Sequence, residues 1–236
     1  MAYARITAQD IMAVSATTTI VGTYPNAPTA GNLLVAVEGH GGVGSAATLS
    51  DSGGNWTVYR TQQDFTATRN GGIFWKIATA SQPTAITASR TSATAMWMNL
   101  YEFSGNSSTP SNANEGHSDD AGVAGVSTSG AGITITDTGS LIITMAFFSS
   151  TIISPSVDSG FTVMNPNPAS PNVRLVDAFR IPGSIATYSP QFSWSNSRLW
   201  LHVTAEFLPS GSGLGGTPQS EIRKSMVTPI LQASRR

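Results

Sequence analysis

Four short stretches recur in the same order in the two halves of the chain, and this repetition constrains the fold more than any other feature of the sequence. Gly31-Asn-Leu-Leu-Val-Ala-Val37 returns as Gly139-Ser-Leu-Ile-Ile-Thr-Met145, and Asp51-Ser-Gly-Gly-Asn-Trp-Thr-Val58 returns as Asp158-Ser-Gly-Phe-Thr-Val163. Ile73-Phe-Trp-Lys-Ile77 has a looser counterpart in Val176-Asp-Ala-Phe-Arg-Ile181. Met96-Trp-Met-Asn-Leu-Tyr-Glu-Phe103 matches Leu199-Trp-Leu-His-Val-Thr-Ala-Glu-Phe207 when one inserted residue is allowed. An extra residue reverses the facing of every later side chain in a strand, so a β-bulge at Thr204 or Ala205 is expected to absorb it. The chain therefore reads as two pseudo-repeats of about 105 residues each.

Each half carries six segments rich in β-branched and aromatic residues, bounded by Gly, Pro, Asn or Ser. They fall at 16–24, 32–39, 56–62, 72–79, 84–90 and 95–103, and again at 131–136, 140–148, 161–165, 173–181, 190–195 and 199–207. With 23 Gly and 13 Pro as punctuation and only 11% of residues charged, the composition is that of many short strands joined by turns. The expected fold class is all-β, a jelly-roll-like β-sandwich in two pseudo-repeats with an extended C-terminal arm, the repeats forming either one sandwich each or one shared pair of sheets. The expected layout is a first repeat over 1–105, a polar linker or loop over 106–130, a second repeat over 131–208, and a flexible linker with a basic arm over 209–236. In the last strand Leu199, Leu201, Val203, Ala205 and Phe207 alternate with Trp200, His202, Thr204 and Glu206, which predicts one core face and one wetter face. Trp97 and Trp200 read as equivalent packing anchors on that second face.

The chemistry-bearing residues do not assemble into a catalytic set. There is no Cys, which excludes disulfides and thiolate metal sites. His40, His117 and His202 lack metal-ligand spacing. Glu115-Gly-His-Ser-Asp-Asp120 gathers carboxylates without the loop pattern that shapes a calcium site and reads as a solvated loop. Glu102 and Glu206 occupy matching places in the two repeats, which duplication explains more simply than a glycosidase pair. Asp51-Ser-Gly and Asp158-Ser-Gly read as Asp-capped turns. Gly39-His-Gly-Gly-Val-Gly44 and Gly211-Ser-Gly-Leu-Gly-Gly216 lack the Lys and the following helix of a phosphate loop. The expectation is a protein that is not an enzyme and needs no cofactor or metal.

Charge is distributed unevenly. Residues 209–236 hold Arg223, Lys224, Arg235 and Arg236 against Glu221, a net +3, which leaves −4 on residues 1–208. Eight basic residues scattered over that body form no stripe, so nucleic acid is not an expected partner of the body. The arm also carries apolar residues that need a surface to cover. Its expected partner-binding set is Ile222, Arg223, Lys224, Met226, Val227, Ile230, Leu231, Arg235 and Arg236, with a short helix conceivable over 220–227. The N-terminus has neither a basic nor an apolar signal region, and the longest apolar run, Leu141–Phe148, is too short for a membrane-spanning helix. Synthesis in a cytoplasm, with no membrane span, is the expectation.

The run Ala27-Pro-Thr-Ala-Gly-Asn-Leu-Leu-Val-Ala-Val37, then Ser50-Asp-Ser-Gly-Gly-Asn-Trp-Thr57, then Trp97-Met-Asn-Leu-Tyr-Glu-Phe-Ser-Gly105 resembles a β-sandwich module of bacteriophage virion and tail-associated proteins, and also modules of bacterial surface proteins. The resemblance spans residues 10–208, rests on strand-and-turn phrasing, and leaves the arm outside. It implies a virion location and a structural subunit: a minor tail protein, fibre-like appendage or head decoration. Such a subunit would be homo-oligomeric and joined to other virion proteins through its arm, with the N-terminal strand as a second contact. The alternative expectation is a carbohydrate-binding module whose exposed Trp, Tyr or Asn residues stack on host surface glycans.

Overall fold

The computed structural model describes residues 2–7, 10–42, 47–64, 68–92, 94–128, 130–158, 160–164 and 174–211, and all of their regular structure is β. The first half supplies ten strands: β1 (Ala4–Arg5), β2 (Ile11–Ser15), β3 (Thr19–Thr23), β4 (Leu33–Gly41), β5 (Thr48–Asp51), β6 (Gly54–Asn55), β7 (Thr57–Gln63), β8 (Arg69–Ile77), β9 (Ala85–Ser89) and β10 (Met96–Ser104). One sheet runs β1-β10-β4-β8-β7, with β2 also on β10, and the other runs β3-β9-β5-β6. The segment expected as a strand over 16–24 contains β3, and β2 is an additional strand ahead of it; between the two the chain crosses from the first sheet to the second. Successive strands thus wrap from sheet to sheet in the manner of a jelly roll.

Ten more strands come from the second half: β11 (Asn106–Asp119), β12 (Gly125–Ser127), β13 (Ile133–Thr134), β14 (Leu141–Phe148), β15 (Ser156–Val157), β16 (Thr162–Val163), β17 (Leu175–Arg180), β18 (Thr187–Tyr188), β19 (Phe192–Arg198) and β20 (Trp200–Pro209). They form a sheet β11-β20-β14-β17-β16 and two small sheets, β12-β19-β15 and β13-β18. All the pairings are antiparallel.

Strand order and register allow the two halves to be compared directly. The order β10-β4-β8-β7 has its counterpart in β20-β14-β17-β16, and the pairs align without a gap: Leu33 faces Phe103 as Leu141 faces Phe207, and Leu34 faces Lys76 as Ile142 faces Arg180. The turns before β4 and β14 also agree. Gly31 and Gly139 adopt φ of 87° and 80°, a region open to glycine. Glu102 accepts hydrogen bonds from the Thr29 amide (2.8 Å) and Asn32 Nδ2 (2.6 Å), while Glu206 accepts from the Thr136 amide (2.9 Å) and the Ser140 hydroxyl (2.7 Å).

The same register corrects three expectations. Glu102 pairs with Leu34 as Glu206 pairs with Ile142, so β10 and β20 stay in step and no inserted residue separates them. The β14–β20 ladder is regular through Thr204 and Ala205, and the irregularity lies on the opposite edge, where Ser111 and Glu115 of β11 face Phe207 and Ala205. Trp97 and Trp200 are consequently not equivalent: Trp97 lies between the two large sheets, whereas Trp200 packs on the far side of its own sheet with Phe148 and Trp194.

The wet face expected on β20 is also absent, because every residue of that strand is buried. The two large sheets pack against each other through Leu33, Val35, Val37, Tyr101 and Phe103 on one side and Leu141, Ile143, Leu201, Val203 and Phe207 on the other. Their opposite faces are covered by the small sheets, through Leu34, Phe74, Ile86 and Met98 in the first half and Ala146, Phe148, Phe192 and Trp194 in the second. The result is four layers, in which the central strands β4, β10, β14 and β20 are buried on both faces. Gly39 makes the central approach possible, because a Cβ there would stand 2.4 Å from Phe147 Cδ2.

The stretch 106–130 is not a linker. Most of it is β11, the edge strand beside β20, followed by β12. Its polar sequence hid it: β11 carries almost no apolar side chain to alternate. The body also reaches beyond residue 208. Pro209 closes the β11–β20 ladder against Asn106, and the Ser210 amide donates to the Gly105 carbonyl at 2.7 Å.

Candidate docking surface

The arm residues expected to bind partners, Ile222, Arg223, Lys224, Met226, Val227, Ile230, Leu231, Arg235 and Arg236, lie outside the described residues, as does the helix considered over 220–227. What can be built is the place from which they depart. The first and last described residues of the body meet at one end of it, where β1 lies against the end of β10 and the Tyr3 hydroxyl donates to the Leu208 carbonyl at 2.6 Å. Ala2, Asp137, Thr138, Gly139, Pro209, Ser210 and Gly211 line an open cleft of about 260 Å³ there.

The other candidate residues turn out to be internal or dispersed. Glu102 and Glu206 are both buried, each accepting hydrogen bonds from its own turn, although Glu102 Oε2 is buried without a donor. Glu206 also accepts from Asn112 Nδ2 at 2.8 Å and Asn114 Nδ2 at 2.5 Å. Burial pushes its acidity down, but these donors outweigh burial and hold its pKa below the usual glutamate value. Asp51 follows the same pattern, its burial offset by Lys76, Gln82, Trp56 and the Gly53 amide, as expected of a turn acid. In the 115–120 stretch, Glu115 pairs with Arg60 at 2.8 Å, and Asp120 accepts the Trp200 amide at 2.5 Å and stands 3.5 Å from Arg69. Among the described residues no three His, Asp or Glu side chains are grouped to hold a metal ion. Of the five Trp and five Tyr side chains, Tyr59, Trp75 and Tyr188 are half-buried and the rest are buried.

Three buried polar clusters were not anticipated. Glu38 and His40, two apart on β4 and therefore on one face, are bonded at 2.8 Å from Oε1 to Nδ1, and burial raises the Glu38 pKa. Arg69 pairs with Asp64 in its own hairpin and with Asp120 of the other half. Asp177 of β17 receives Asn99 Nδ2 at 2.8 Å and the Tyr101 hydroxyl at 2.9 Å from β10. The i, i+2 spacing was a usable signal for the first; the others join residues distant in sequence.

Comparison with known proteins found no matching family model, no matching curated protein and no matching solved structure.

Proposed function

We propose that this protein is a non-enzymatic structural subunit of a bacteriophage virion, tail-associated or a head decoration, which assembles with copies of itself and with other virion proteins through the arm that follows Gly211. The observation that carries this reading is the use the body makes of its polar side chains. Its buried acids and bases are committed to one another, to turns or to joining the two halves, an arrangement suited to a rigid block. By contrast, the sequence from residue 209 onward carries a net +3, and Gly211, the last described residue, lines an open cleft at one end of the body. The phage-module phrasing of residues 10–208 supplies the setting.

The test is the mass in solution, by light scattering, of the full chain and of a chain ending at Gly211. An oligomer that becomes a folded monomer on truncation supports the arm as an assembly device. The same number of subunits in both proteins overturns it.

A further inference from the structure

One of the polar clusters that join the two large sheets sits among apolar neighbours. Asp177 is fully buried between the large sheets, bonded to Asn99 Nδ2 and lying 2.9 and 3.0 Å from the Tyr101 hydroxyl through its two oxygens. By register, the corresponding residues on the other side of the pair of sheets are Ile73, Val203 and Ala205, all apolar and all buried in the same core. The layer can thus be packed without polar groups, and the cluster costs desolvation that its counterpart does not.

The charges facing Asp177 come from one side only. Arg5 lies over the Tyr101 ring at 5.2 Å, but its Nη2 is already engaged by Asp10 Oδ2 at 2.7 Å and the Met164 carbonyl at 2.8 Å. Asp10 itself opposes ionisation of Asp177. Strands β4 and β14 bring apolar side chains to this core, Val35, Val37, Ile143 and Met145 among them. Within the cluster Asn99 Oδ1 is buried and has no donor. A protonated Asp177 is the one side chain of the cluster that can gain an O–H to offer.

We propose that Asp177, Asn99 and Tyr101 form a proton-gated clasp between the two halves, tight when Asp177 is a neutral acid and loosened when it ionises. Burial raises the Asp177 pKa to about 6, against the hydrogen bonds from Asn99 and Tyr101 and the charge of Arg5, so gating falls in the mildly acidic range. The sign follows from proton binding: between the unfolded value and 6 the folded state holds the extra proton, so the cluster's contribution to stability falls as pH rises through that window.

The experiment is equilibrium denaturation of the full chain and of Asp177→Asn from about pH 5 to about pH 8. Asn keeps the shape and supplies a permanent donor, so the ratio of wild-type to variant unfolding constants should rise roughly tenfold over that range. A flat ratio overturns the clasp. Should the variant not fold, carboxyl NMR of the wild type reads the group directly. One aspartate should titrate near pH 6, and its midpoint should move up in Tyr101→Phe, which removes a donor to the ionised form. The absence of any aspartate titrating above about pH 5 overturns the proposal equally.

Discussion

Glu206 and Asp177 are both buried carboxyl groups, yet their surroundings push them in opposite directions. Glu206 is met by two side-chain amides, a backbone amide and two hydroxyls, all of which favour the anion. Asp177 has two donors in an apolar layer, and burial prevails. Glu206→Gln should therefore destabilise the protein by about 2–4 kcal/mol at pH 7, since it places an amide where five donors converge. The Glu206 pKa is depressed in the fold, so its stabilisation is present above the unfolded value and is lost as pH falls through the folded one. Urea midpoints of wild type and variant should accordingly converge in acid. Gly39 makes a purely steric case. Gly39→Ala sets a methyl 2.4 Å from Phe147 Cδ2 and 2.7 Å from its Cγ, and the two central sheets must part or Phe147 must turn. A loss of about 1–3 kcal/mol, read from the urea midpoint, is expected.

Among the strands, β11 is held by what it touches rather than by what it contains. Its backbone follows the free edge of β20, and the Tyr59 hydroxyl of β7 reaches over to Asn112 Oδ1 and the Asn114 carbonyl, both at 3.0 Å, and to the Glu206 carbonyl at 2.5 Å. Tyr59→Phe should cost about 1–2 kcal/mol and speed hydrogen exchange of the 112–117 amides more than that of β14. The contrast explains what the sequence made legible. Strands β4, β8, β10, β14 and β20 announce themselves by apolar runs, and most of their bounds lie close to the expected ones. β11, reading Asn-Ser-Ser-Thr-Pro-Ser-Asn-Ala-Asn-Glu-Gly-His-Ser-Asp, has no such signal, because its pairing is imposed by the neighbouring edge. The second face of β20 was misread for a related reason: His202 and Thr204 look solvent-facing until Thr144, bonded to both at 2.7 and 3.0 Å, is brought beside them by the fold. The Asp177 cluster was illegible too, its partners being 76 and 78 residues away.

At the scale of the molecule, each half is sandwich-like but neither large sheet is finished by its own half. The small sheets cover one face of each, and the other face is covered only by the opposite half. Separated from its partner, residues 1–105 would present Leu33, Val35, Val37, Ile73, Trp97, Tyr101 and Phe103 to water as one contiguous apolar surface. Arg69 would also lose Asp120, and Asn99 would lose Asp177. The fragment 1–105 expressed alone should therefore aggregate or pair with itself through that face. Mixed with 106–211, it should yield a soluble 1:1 complex whose mass equals that of the chain ending at Gly211. A soluble, monomeric 1–105 fragment that unfolds cooperatively would mean that the central contact is an accessory docking of two finished domains. The four layers would then be an assembly of two folding units rather than one.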